Sequence, residues 1–425
     1  MSFVDELEAR GLYASCTDRA GLAELLAREA PVKAYAGYDP TSDSLHIGNL
    51  VPTILLKRLQ LAGHRPIIVV GGATGMIGDP SGRSDERNLL DDATLATNVA
   101  AIRAQLARLL DFDDKTTGAL MTNNADWTRG VGYLEFLRDV GKHLTVNYMM
   151  AKDSVQSRLE GDAGISYTEF SYMLLQAFDF TELARTHECR LQVGGNDQYG
   201  NITAGCELQR KLGRKPVYGL TAPLLLDSAG QKMGKTSTGE RVWLDPARTS
   251  PFKFYNYWYS VSDDDAPRFL KMFSLRPLSE LDALLAEHDR DRAKREAQRE
   301  LARAMTSWLH GEAAVRRVES ANRVFATGSL DGLSADELTT LADTMPTVDI
   351  PRSELAAGIS IVDLLARTVT DSKSAARRLV QQGGAYINNA KIAAVEHKVS
   401  ADDLVGERWV LVRGGKKDYR LVRAV

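Results

Sequence analysis

Lys232 and Lys235 stand three residues apart in Gln231-Lys232-Met233-Gly234-Lys235-Thr236-Ser237, among Gly230, Gly234 and Gly239. Two ammonium groups on a glycine-bounded loop can close on a triphosphate. Such charge acts most strongly where negative charge builds up on a leaving group. Taken alone, a lysine-rich loop is also an ordinary solvated surface. The second cue, His46-Ile47-Gly48-Asn49, lies 186 residues earlier. It follows a short apolar run at 32–37 and the turn-rich Asp39-Pro40-Thr41-Ser42-Asp43-Ser44. It opens an apolar-periodic segment (Leu50, Ile54, Leu55, Leu59). A strand that leads into a polar, glycine-containing helix start holds anions through free backbone N–H groups and the helix dipole. GxGxxG and GxxxxGKS are both absent, so the two commonest phosphate loops are excluded. A third cue is Tyr172, Gln176 and Asp179, whose spacing of 4 and 3 puts them on one helical face. A carboxylate on an otherwise apolar face is costly without a partner, and a phenol O–H is a suitable one. Without further context Asp179 reads equally as a helix-end carboxylate in water, and Tyr35 and Tyr172 as core aromatics.

The elements that must position these residues alternate. Strands are expected at 32–37, 67–70, 189–193 and 220–226, and helices at 50–61, 92–110 and 199–212. Further helical pieces are expected at 130–140 and 166–178. Strands alternating with helices imply a parallel, doubly wound sheet, in which ligands sit at the C-terminal strand ends. The His46 and Lys232 cues both fall at such ends. The glycine-dense 71–82, GGATGMIGDPSG, marks a loop that needs unusual backbone angles or close approach to a ligand. After Pro251 the aromatic FKFYNYWY at 252–259 leads into charged, helix-forming sequence up to about 324. The last part carries two short helices and a β-rich end.

At 425 residues the chain has room for two or three domains. No apolar run approaches the roughly 20 residues of a membrane span, so no membrane partner is expected. The start, MSFVDELEARG, has no apolar signal-like region. Cys16, Cys189 and Cys206 are odd in number and far apart, which suits neither a disulfide framework nor a zinc site. A reducing cytoplasm is the expected location. The net charge of −3 hides an asymmetry: residues 352–425 hold 13 Lys and Arg against 8 Asp and Glu, while the remainder is acidic. A basic tail on an acidic body fits a polyanion partner, or a solvated surface.

These motifs carry a resemblance. His46-Ile47-Gly48-Asn49 and Lys232-Met233-Gly234-Lys235-Thr236 resemble the two signatures of class I aminoacyl-tRNA synthetases, His-Ile-Gly-His and Lys-Met-Ser-Lys-Ser. Within that class the chain is similar to the bacterial tyrosyl enzymes along essentially its whole length. The similarity is carried by Tyr35 to Thr41 and by 71–82, 146–151 (VNYMMA), 169–180 (EFSYMLLQAFDF) and 191–204 (LQVGGNDQYGNITA). The resemblance implies a Rossmann-like α/β catalytic domain over 1–245, with a helical insertion at about 85–185. An α-helical domain at 246–345, which meets the anticodon region of tRNA, would follow. A linker at 346–357 and a small α+β RNA-binding domain at 358–425 would complete the chain.

Residue by residue, the resemblance implies that Tyr35 and Asp179 hydrogen-bond the substrate phenol. Tyr172, Gln176 and Asp79 would surround the amino acid's ammonium, with Gln192 beside its carboxylate. Gly37, Asp39, Gly48, Asn49, Gly195, Asp197 and Gln198 would line ATP and the adenylate. Thr41 and His46 would meet the triphosphate. Lys232, Lys235 and Thr236 would close over the leaving pyrophosphate, with Arg83 and Arg87 assisting. The reaction implied joins L-tyrosine to ATP and passes the acyl group to the 3′ end of tRNA(Tyr). Mg2+ would arrive with ATP, and no protein metal site, resident cofactor or DNA partner is expected. The family is homodimeric, with the interface within 130–180. Two positions depart from the pattern: Asn49 stands where a second histidine is usual, and Gly234 replaces the loop serine.

The tail at 360–388 resembles a small RNA-binding module found in a small-subunit ribosomal protein and in pseudouridine synthases. Lys373, Arg377 and Arg378 are its expected tRNA contacts. Two alternatives share much of this pattern: a tryptophanyl-tRNA synthetase, and a non-catalytic RNA-binding protein on a synthetase scaffold.

Overall fold

A β-branched run, Ile67-Ile68-Val69-Val70, and the apolar 32–38 segment cannot face water on either side, so both become interior strands of a parallel sheet. The structure is a computed structural model that describes residues 2–81, 91–161, 164–236, 238–342, 345–415 and 418–425. Arg83, Arg87 and Ser237 lie outside the described residues. The first sheet has six strands: β1 (Ser15–Cys16), β2 (Lys33–Tyr38), β3 (Arg65–Val70), β4 (Leu120–Asn123), β5 (Cys189–Gly195) and β6 (Tyr218–Ala222). Their order is β1-β6-β5-β2-β3-β4. All neighbours run parallel except β1 and β6. From β2 the chain builds outward to β3 and β4 on one side and to β5 and β6 on the other. Such a reversal of strand order opens a crevice at the C-terminal strand ends.

The helix Leu50–Leu61 begins where the apolar periodicity began, and Leu50, Ile54, Leu55 and Leu59 are buried. Asp92–Leu109 and Tyr199–Lys211 likewise match their patterns. The helix expected at 166–178 runs further, Tyr167–Thr186, and starts on a Ser166–Glu169 capping box. It is pinned by a buried ion pair, since Arg158 donates to Glu169 at 2.6 and 2.8 Å. The expected β-run at 220–226 begins earlier and ends at Ala222.

The chain divides into two compact units, 1–309 and 310–425. This differs from the boundaries expected near 245 and 345. Arg10 and Arg58, which both donate to the Ser274 carbonyl, are among the contacts that join the helices after Pro251 to the first unit.

In the second unit, residues 346–357, expected as a linker, instead carry strand β7 (Thr347–Ile350) and the helix Arg352–Ala357. The other strands are β8 (Ile359–Ser360), β9 (Ala385–Ile387), β10 (Ala390–Ile392), β11 (Lys398–Val399), β12 (Trp409–Gly414) and β13 (Asp418–Ala424). The main sheet runs β10-β9-β12-β13-β7, and β8 pairs with β11. β7 joins because it lies parallel to β13, which would otherwise leave an open edge. Leu364, Leu365, Ala376 and Val380 of the two short helices pack on Val410, Val412 and Val422.

Candidate active site

One cavity of about 450 Å³ occupies the crevice at the ends of β2 and β5. Its wall includes Tyr35, Gly37, Asp39, Thr41, His46, Gly48, Asn49, Asp79, Tyr172, Gln176, Asp179, Gln192, Gly195, Asp197, Gln198 and Lys232. The structure therefore brings together, from six separate stretches of sequence, most of the residues singled out above. Lys235 and Thr236 do not reach the wall. Gly234, with φ +137°, turns the backbone between Lys232 and Lys235, and Lys235 is exposed. Lys373, Arg377 and Arg378 lie in the second unit on the helix Lys373–Gln381. Lys373 is paired there with Asp363 at 2.6 Å, while Arg377 and Arg378 are exposed.

At the deep end, Tyr35 is 1 % exposed and its hydroxyl has no protein partner. A buried, unpaired O–H at a cavity wall is a donor waiting for a ligand. Asp179 lies beside it and is also buried. Asn124 Nδ2 donates to Asp179 Oδ2 at 3.0 Å, and Trp127 Nε1 to Oδ1 at 2.8 Å. Burial pushes the Asp179 carboxyl up to about 7, against the lowering effect of those two bonds. Burial and the neighbouring Asp179 hold the Tyr35 phenol well above its usual range, so it stays protonated.

Midway, carboxylates and amides interlock. Tyr172 donates its hydroxyl proton to Asp39 at 3.0 Å, and Thr74 donates to the other Asp39 oxygen at 2.9 Å. With its proton committed, the Tyr172 oxygen faces the cavity as an acceptor. Gln198 donates to Asp79 at 2.7 Å, and Asn201 donates to Gln176 at 3.1 Å. An ammonium fits here, where acceptors outnumber donors. Burial, with Asp79 nearby, raises the Asp197 carboxyl, and Lys232 pulls the other way.

At the outer end, His46 caps the helix start. Its Nδ1 accepts from the Gly48 N–H at 3.1 Å, so a neutral ring carries its proton on Nε2. Asn49 Oδ1 accepts from the His46 N–H at 3.0 Å and completes a capping box. Asn49 therefore holds the histidine in place from the position where a second histidine was expected. Gly37 opens the wall, because a Cβ there would meet nothing within 4 Å.

Asn124, Trp127, Thr74 and Asn201 were not anticipated from sequence. Asn124 directly follows β4, a strand end where ligands gather, and that was the available signal. Among the described residues no group of three or more His, Cys, Asp or Glu could hold a metal.

A parallel sheet with a nucleotide-sized crevice, a capped His-Ile-Gly helix start and a lysine hairpin defines a class I aminoacyl-tRNA synthetase. The family model for class I tRNA synthetases (W and Y) matches residues 27–326, and that for the tyrosine–tRNA ligase SYY-like C-terminal domain matches 337–422. A tyrosine–tRNA ligase from Roseiflexus castenholzii is 47% identical over 426 residues, covering 100% of both chains. One from Opitutus terrae is 47% identical over 427 residues with the same coverage. Among solved structures, a C-terminally truncated mitochondrial tyrosyl-tRNA synthetase from Coccidioides posadasii is 34% identical. It has a TM-score of 0.65 and covers 75% of this chain and 91% of that one. A tryptophanyl-tRNA synthetase from Encephalitozoon cuniculi, 18% identical with a TM-score of 0.53, covers 79% and 90% and shares the fold. The chain belongs to the tyrosine–tRNA ligases.

Proposed function

We propose that the protein activates L-tyrosine with ATP and transfers the tyrosyl group to the 3′ end of tRNA(Tyr). The observation that carries this is the pairing of an unpartnered Tyr35 O–H with the Asp179 carboxylate at the closed end of the cavity. A ligand hydroxyl can accept from Tyr35 and donate to Asp179 at once. An indole N–H could only donate, and a phenyl ring could do neither, so either would leave a buried polar group unpaired. Asp79, Gln176 and the acceptor oxygen of Tyr172 suit the ammonium, and Gln192 lies beside the carboxylate.

In the first step a tyrosine carboxylate oxygen attacks the α-phosphorus in line, the bond to the bridging oxygen breaks, and pyrophosphate leaves. The nucleophile is already ionised at neutral pH, so no protein base is needed, and catalysis is positioning plus charge stabilisation. His46 Nε2–H and Thr41 serve the triphosphate. Lys232 serves the leaving pyrophosphate, with Lys235 and Thr236 from the same hairpin. Gly37, Asp39, Gly195, Asp197 and Gln198 hold the adenylate. Mg2+ would come bound to ATP. In the second step the terminal ribose hydroxyl of tRNA takes the acyl group and AMP departs.

The helices after Pro251 and the second unit, with Arg377 and Arg378 exposed on one helix, are the parts suited to tRNA. Among the described residues, six of the nine large exposed apolar side chains fall between 133 and 167: Tyr133, Leu134, Val146, Met150, Leu159 and Tyr167. That clustering supports a homodimer through the insertion. Among the described residues no helix is long and apolar enough to cross a membrane, and the cytoplasm is the location proposed. Tyrosine-dependent ATP–pyrophosphate exchange, followed by charging of tRNA(Tyr), tests the reading. Exchange with tryptophan in place of tyrosine would overturn the substrate assignment.

A further inference from the structure

We propose that Arg241 is a pyrophosphate-binding residue of this site, a cation that neither signature motif contains. The proposal rests on the adenylate-forming reading above. Among the described residues that line the cavity, the cationic ones are Lys232 and Arg241. Arg241 lies on the strand-like segment that returns from the lysine hairpin, opposite Lys235. That segment is locked to the phosphate end of the site. The Val242 N–H donates to the Gly234 carbonyl at 2.9 Å, the Ile47 N–H donates to the Val242 carbonyl at 3.3 Å, and the Leu244 N–H donates to the Leu45 carbonyl at 2.8 Å. Trp243 pairs with His46, and their rings lie 6.5 Å apart.

Trp243 carries two guanidinium groups, Arg241 at 5.2 Å and Arg248 at 4.7 Å from the ring centre. They differ in charge balance. Arg248 is neutralised by Asp43. Arg241 has no carboxylate partner among the described residues, although Asp39, Asp79, Asp179 and Asp197 all line the same cavity. A planar cation held in place by stacking, but left without a counter-ion, has the geometry for a bidentate grip on phosphate oxygens. Lys235, its neighbour across the hairpin, does not reach the wall. Arg241 therefore stands where the second lysine was expected, and the anion it faces is the leaving pyrophosphate of ATP.

Two variants of the full chain separate charge from packing. Arg241→Gln keeps a planar group over Trp243 without charge, and Arg241→Lys keeps charge without the planar fork. Wild-type protein is first shown to exchange pyrophosphate with ATP in the presence of tyrosine. Tyrosyl-adenylate is then formed on each variant, and its single-turnover reversal is followed against inorganic pyrophosphate. Arg241→Gln is expected to weaken pyrophosphate by roughly 10- to 100-fold, as loss of one charge-assisted contact implies. Its tyrosine affinity and melting temperature are expected to match wild type, and Arg241→Lys is expected to retain most of the binding. Pyrophosphate affinity unchanged in both variants overturns the proposal, as does a defect in Arg241→Lys alone, which would assign Arg241 to packing. Absence of exchange in the wild type would overturn the functional reading instead, and the proposal with it.

Discussion

Asp179 has two neutral hydrogen-bond donors and is buried, and its chemistry follows from that. Its carboxyl, near 7 in the folded protein against an ordinary value of 3.8, binds a proton more tightly folded than unfolded. Between about pH 4 and about pH 7 the folded state therefore holds more protons than the unfolded chain. The Asp179 contribution thus makes the ligand-free protein less stable as pH rises through that window. In the proposed site tyrosine needs the ionised form to accept its phenol proton, so its binding is expected to move the other way. We expect the tyrosine Kd to rise several-fold from about pH 8 to about pH 6, measured by equilibrium dialysis. A Kd that is flat across that range would remove the carboxylate from the phenol site. Replacing Trp127 by Phe strips one donor from a buried oxygen, which costs about 1–3 kcal/mol. Weaker tyrosine binding with an unchanged KM for ATP is the expected result. Gly48 makes a separate point. A Cβ there would stand 2.9 Å from His46 Cε1, so Gly48→Ala must displace the imidazole. Adenylate formation should then slow by about tenfold or more, with tyrosine affinity preserved, in stopped-flow measurement. The signature residues were legible because rare residue types stand at fixed offsets. Asn124 and Trp127 were not, since an amide and an indole just after a short strand look like any surface turn until Asp179 is placed beside them.

Among the elements, those with strong periodicity were readable and those completed by pairing were not. The helix Leu50–Leu61 begins and ends where its apolar residues do. β1 has two residues and β4 four, too few for any alternation to register, and both sit at sheet edges. The helix Tyr167–Thr186 outran its expected end because its polar residues Gln176 and Asp179 face the cavity and not water. That helix depends on its entrance. Arg158 and Glu169 are about 5 % and 4 % exposed, so removing either leaves a buried charge alone. Glu169→Ala is expected to destabilise by about 3–5 kcal/mol in urea unfolding. A loss below about 1 kcal/mol would show that the pair is not essential to the helix start.

For the whole molecule, the division at 309/310 was hidden from sequence because it reflects contacts between stretches far apart in the chain, such as those of Arg10 and Arg58 with the Ser274 carbonyl, which composition does not register. The exposed face around Tyr133, Leu134 and Tyr167 belongs to this scale as well. Leu134, 79 % exposed, gains nothing from the folded monomer. Leu134→Asp should therefore leave stability within about 0.5 kcal/mol while shifting the proposed dimer to monomer in sedimentation velocity. An unchanged sedimentation coefficient would remove this face from the proposed dimer contact.

β13 lies inside the main sheet of the second unit, between β12 and β7, although it is the last of that sheet's five strands in sequence. The sheet cannot assemble progressively behind the ribosome. β7 and β12 emerge first and are joined only through residues 418–424, which pair with both. A nascent chain halted before Asp418 would carry two unpaired strand edges, a state that favours aggregation over RNA binding. For this unit order in sequence and order in space differ, and residues 418–424 decide whether its main sheet closes.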